Sequence, residues 1–136
     1  MRRHFYQYAV KQAKAYPYNI YMDFWVYAVI VSGGRVLSSG SNQHKKNAFV
    51  GAYYCEHSNK HAELNAIQQV RRKTDLRGAK IYVVRVQHDR KTLAMARPCE
   101  YCQELLRAYG IKRAYYSVAD EEFGVLNLTG VSKADI

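Results

Sequence analysis

Two short motifs constrain this chain more than any other feature: His61-Ala62-Glu63 and, further on, Pro98-Cys99-Glu100-Tyr101-Cys102. One His with two Cys at C-x-x-C spacing is a set of three soft-to-borderline ligands that suits zinc. Each motif stands where the pattern predicts a helix to begin, so two helix N-termini must converge on one ion. Three protein ligands leave a fourth position open, as catalytic zinc sites do and closed structural sites do not. Glu63 follows His61 by two residues, and a carboxylate there can move protons for a zinc-bound water. Cys99 at a helix start binds readily as a thiolate, because the helix N-terminus lowers a thiol pKa. Two other readings compete. A redox pair of Cys99 and Cys102 leaves His61 and Glu63 without a role. A structural zinc needs a fourth ligand, and Cys55 is the one Cys left to supply it.

A chain of 136 residues is read as a single domain, residues 1–136, long enough for its own core. Three Cys is an odd number, and the N-terminal stretch has no apolar run fit for a secretory signal. These features predict a reducing, cytoplasmic setting in which metal binding is favoured over disulfides. The apolar run from Phe24 to Val31 is too short to span a bilayer, so no membrane partner is expected. The net charge of +10 serves either solubility or attraction to phosphate, on a nucleotide or a nucleic acid. The 13 Tyr can stack on bases but are also ordinary core residues.

Taken in order, Arg3 to Ala15 has helical spacing of Phe5, Tyr6, Ala9 and Ala13, and Pro17 ends it. Phe24 to Val31 reads as a buried strand. Ser32-Gly33-Gly34-Arg35 reads as a hairpin turn, and Val36 to Gly40 as the return strand. Gln43 to Lys60 reads as a long polar loop bordering the metal motif. Its Lys45, Lys46 and Lys60 suit a substrate phosphate or plain solvation, and Cys55, His57 and His61 allow a second metal reading. The spacing predicts a helix from His61 to about Lys73, capped by Asn59 and closed by Arg71-Arg72-Lys73 at its negative end. A turn over Thr74–Gly78 precedes a central strand, Ala79 to Val86. Pro98 suits the first position of the next helix, which runs to Tyr109 and stops at Gly110. Two strands follow, Ile111 to Val118 and Gly124 to Leu128. Their link is too short for a parallel crossover, so they form an antiparallel hairpin.

The pattern H-x-E…P-C-x-x-C is the signature of zinc nucleobase deaminases, and the chain resembles the cytidine/deoxycytidylate deaminase superfamily. The resemblance implies a three-layer α/β/α sandwich around a mixed five-stranded sheet, with zinc held by His61, Cys99 and Cys102. It implies that Glu63 takes a proton from the zinc-bound water and returns it to the base as the amine leaves, C4 being the carbon attacked if the base is cytosine. It also implies that Asn42 contacts the sugar, that the backbone around Ala62 and Pro98 holds the base edge, and that Tyr116 stacks on the base. For Asn42 the alternative is a loop residue, and for Tyr116 it is core packing. The C-terminal hairpin resembles that of free-nucleoside enzymes, whereas His61 stands where those usually carry Cys. The expected activity is therefore hydrolytic deamination of cytosine in a free nucleoside or nucleotide, by a homo-oligomer. Deamination of cytosine or adenine in single-stranded nucleic acid, and a basic nucleic-acid-binding module with structural zinc, are the alternatives.

Overall fold

The computed structural model describes residues 3–15, 25–46, 59–87, 89 and 91–129. Along the chain these form α1 (Arg3–Ala15), β1 (Trp25–Ser32), β2 (Arg35–Ser41), β3 (Gln43–Lys46) and β4 (Asn59–Lys60). Then come α2 (Ala62–Gln69), a 3-10 turn (Lys73–Leu76), β5 (Lys80–Val86), β6 (Leu93–Ala94), α3 (Glu100–Ala108), β7 (Arg113–Ala119) and β8 (Glu122–Asn127). The main sheet has the order β2-β1-β5-β7-β8, with the two-residue β6 added beside the end of β5. Among the described residues only β5 and β7 pair in parallel, joined by the α3 crossover; β7 and β8 form the expected antiparallel hairpin.

The alternation of side chains along the central strands explains the three layers. Val29 and Val31 of β1, with Tyr82, Val84 and Val86 of β5, face α1 and pack with Phe5, Ala9 and Ala13. Ala28 and Ile30, with Ile81 and Val83, face the other way and pack with Ala62, Ala66, Ile67 and Leu106 of α2 and α3. Strands apolar on both faces must be central, and β1 and β5 are. In the β1–β2 turn Gly33 and Gly34 have φ of 58° and 76°, the two positive angles that a two-residue hairpin of this hand requires.

Several boundaries differ from expectation. Helix α2 stops at Gln69, because Val70 turns extended, with ψ 124°, and buries its side chain in the core. Arg71 and Arg72 therefore lie beyond the helix, although the Lys73 ammonium does donate to the Val70 carbonyl. Asn59 does not cap α2: its backbone pairs with Lys46 in the β3–β4 ribbon, and His61 is the N-cap residue. That ribbon also ties together the two ends of the segment expected to be entirely loop. Pro98 lies two residues before α3, just ahead of its N-cap Cys99. The helix ends as expected at Gly110, φ 83°, where the amides of Gly110 and Ile111 return to the carbonyls of Arg107 and Leu106. The Pro17 turn, Phe24, Cys55 and His57 lie outside the described residues.

Candidate metal centre

The site forms where α2 and α3 begin. His61 and Cys99 are the N-cap residues of the two helices, both with extended backbone, and neither side chain caps its helix. Cys102 lies one turn into α3, on the face that carries Cys99 toward His61. The His61 Nδ1 atom is 3.2 Å from Cys102 Sγ and 4.0 Å from Cys99 Sγ, and all three donor atoms lie within 4.8 Å of one another. Around a tetrahedral zinc, with bonds of about 2.0 Å to nitrogen and 2.3 Å to sulfur, such donors stand roughly 3.5–3.8 Å apart. The observed spacings bracket that range, so the three side chains fit a zinc ion. Among the described residues the cluster has three donors and no fourth.

Glu63 sits inside this corner, 4% exposed. Burial pushes its carboxyl above the usual carboxylate range; its own backbone N–H, the positive His61 and a hydrogen bond with Cys102 partly oppose this. His61 is raised in turn, chiefly by its hydrogen bond to Cys99 and by the charge of Glu63, against the effect of burial. A carboxyl raised in this way takes up a proton more readily than a solvated one, which suits it to proton transfer.

The position of α2 rests on β2. A Cβ on Gly40 would lie 2.6 Å from the Ala66 nitrogen, so the helix backbone packs directly on the strand. The Ser38 hydroxyl donates to the Ala66 carbonyl at 2.7 Å, and the Asn65 amide donates to the Ser41 carbonyl at 3.0 Å. The start of α3 is braced by Gln103, whose side-chain amide donates to the Pro98 carbonyl at 2.8 Å. Further along, the buried Ser117 hydroxyl accepts from the Arg85 amide at 3.0 Å and donates to the Ala94 carbonyl at 2.7 Å. It thereby joins β5, β6 and β7. Sequence reasoning missed Asn65, Gln103 and Ser117. The available signal for Asn65 was a polar residue breaking the apolar stripe of a helix, and for Gln103 its place in a helix's first turns.

The remaining expected residues fall in two settings. Asn42 follows β2, and its Oδ1 accepts from the Val26 amide at 2.9 Å while its own amide donates to the Val26 carbonyl. Asn42 thus extends the β1–β2 ladder, and that contact fixes which way its side-chain amide points. Ala62 is buried in the first turn of α2, where backbone N–H groups have no partner within the helix. Tyr116 is half-buried on the face shared with α2 and α3, with its ring lying over Gly124 of β8.

The profile of the cytidine and deoxycytidylate deaminase zinc-binding region matches residues 1–118. Cytidine deaminase from Burkholderia pseudomallei is similar in structure, with a TM-score of 0.62, 24% identity and coverage of 94% of both chains. The deoxycytidylate (dCMP) deaminase of cyanophage S-TIM5 superposes with a TM-score of 0.57 at 19% identity, over 87% of this chain and 86% of the other. No curated protein sequence matches the chain. The solved structures agree with the fold, and the profile covers most of the length: the chain belongs to the cytidine and deoxycytidylate deaminase family, whose matched region binds zinc.

Proposed function

We propose that the protein is a zinc-dependent hydrolytic deaminase that converts cytosine to uracil in a free nucleoside or nucleotide, releasing ammonia. The observation that carries this reading is the buried Glu63 carboxyl packed beside a three-donor cluster. His61, Cys99 and Cys102 would hold a zinc ion, which when bound would supply Lewis-acid activation of water. Glu63 is the group that accepts a proton there and delivers it to the base, since burial keeps its proton affinity high. Backbone N–H groups in the first turn of α2, around Ala62, and the backbone at Pro98 hold the edge of the base. Asn42, oriented by Val26, contacts the sugar, and Tyr116 flanks the base. A free monomer as substrate is supported by the β7–β8 hairpin and by the S-TIM5 enzyme, which has been solved in complex with dCMP and dUMP.

The test is mass spectrometry on a pool of cytidine, deoxycytidine, their monophosphates, adenosine and short single-stranded oligonucleotides, with the Glu63→Ala protein as blank. An amine-to-carbonyl change in a free cytosine monomer is expected. Conversion confined to oligonucleotides would overturn the free-monomer substrate. No conversion by zinc-loaded protein would leave a binding module with a structural metal.

A further inference from the structure

The charge of this chain is not spread evenly over the fold. Helices α2 and α3 run from the metal centre toward the opposite end of the sheet, α3 alone covering about 13 Å. At that far end the chain leaves α2 through Arg71, Arg72 and Lys73 and reaches Arg77 just past the 3-10 turn. Arg107 lies in the last turn of α3, and Lys112 follows its end. The strands contribute Lys80 and Arg113, the first residues of β5 and β7, and Arg35 at the β1–β2 turn. Backbone contacts bind these segments into one surface. Gly78 donates to the Gly110 carbonyl at 2.7 Å, and Lys112 to the Ala79 carbonyl at 2.9 Å. Nine of the 21 Lys and Arg thus share one pole. Seven of them are exposed, and Asp75 is the one acidic side chain among the described residues of these segments.

Helix dipoles account for part of this. Lys73 reaches the carbonyls at the end of α2, and Arg107 suits the end of α3. They do not account for Lys80 and Arg113, which are register partners on adjacent parallel strands. Like charges placed side by side on a sheet destabilise it. From β2 to β7 is three strand spacings, about 14 Å, and the same length of duplex carries roughly eight phosphate charges. Six of the nine cations are Arg, the side chain whose planar fork binds phosphate oxygens in pairs. We infer that this pole is a docking surface for nucleic acid, recognised through its phosphate backbone and not by base sequence. The surface lies at the other end of α2 and α3 from His61 and Glu63. It therefore anchors the protein to nucleic acid without placing that contacted stretch in the metal centre, and the inference does not depend on the deaminase reading.

Fluorescence anisotropy with a short labelled single strand and the matching duplex, at about 50 to 200 mM NaCl, tests it. Affinity is expected to fall across that range with a log–log slope of about −3 to −5, as four or more released counterions require. Arg71→Glu with Arg72→Glu should weaken binding at least about tenfold and flatten the slope by about 2. Lys11→Glu with Lys14→Glu, an equal charge change on α1, should do much less. Should a reversed pair lose its fold, Lys80→Gln with Arg113→Gln is the gentler variant. It relieves the cross-strand repulsion, so the melting temperature should rise while binding falls. Deamination of free monomers should be unchanged in all of these. Equal losses from the pole and α1 pairs, undiminished binding by the Gln pair, or binding to phosphatidylserine vesicles but to neither oligonucleotide would each overturn the inference.

Discussion

Glu63 carries opposing demands in one side chain. Its burial raises the carboxyl's proton affinity, which suits proton transfer but makes the ionised form costly in the folded chain. In metal-free protein the native state keeps this proton to higher pH than the unfolded chain does. The contribution of this group to stability is therefore fully present below the usual carboxylate range and is lost as pH rises through the raised value. Glu63→Gln removes the titration. Thermal melts of the metal-free variant should show a higher melting temperature than the parent near neutral pH, and a flatter dependence above the carboxylate range. The same substitution should cut deamination by about 10² to 10⁴-fold while metal analysis still finds zinc. Loss of zinc with the activity would make Glu63 a ligand and the site structural. The motif residues were readable in the sequence because ligand chemistry restricts spacing and residue type. Asn65 and Gln103 were not, because a side chain that braces backbone can be any donor of the right reach.

The elements that place the site are held by close backbone approach more than by side-chain bulk. Gly40 shows this: β2 and α2 meet with no room for a Cβ, the nearest atom being the Ala66 nitrogen. Gly40→Ala should push α2 off the sheet and cost about 1–3 kcal/mol, as overpacking does. Urea denaturation would report that cost, and a weaker zinc affinity should accompany it, since His61 begins the displaced helix. Unchanged zinc affinity in a destabilised variant would show that the two helix starts are held independently of β2. Strand order and hairpins were legible because periodicity and short links leave few alternatives. The end of α2 was not, for a tertiary reason. Arg71-Arg72-Lys73 is a good helix terminus locally, but burying Val70 and Leu76 in the core requires the chain to turn before it. The β3–β4 ribbon was hidden likewise, since its polar residues carry no alternating apolar signal.

At the scale of the whole molecule the sheet separates two environments. The α1 face is chiefly a packing layer; the donor cluster stands at one end of α2 and α3, and the basic pole lies at the other end of the sheet. Among the described residues no helix is long and apolar enough to cross a membrane. Metal bound at His61, Cys99 and Cys102 would link two helices that are distant in sequence, so it acts on folding as well as chemistry. A ligand that binds only the native state stabilises it by about 4 kcal/mol at a thousand times its dissociation constant. Chelation should therefore lower the melting temperature, added zinc should restore it in a concentration-dependent way, and Cys102→Ala should abolish that response. The loss should also be local. Hydrogen exchange of the metal-free protein should quicken in the first turns of α2 and α3, where the donors stand, while α1 and the β1–β5 ladder keep their protection behind the buried aromatic and aliphatic layer. Equal deprotection of α1 would mean that the metal holds the entire fold, and the donor cluster would then be a structural keystone first and a reaction centre second.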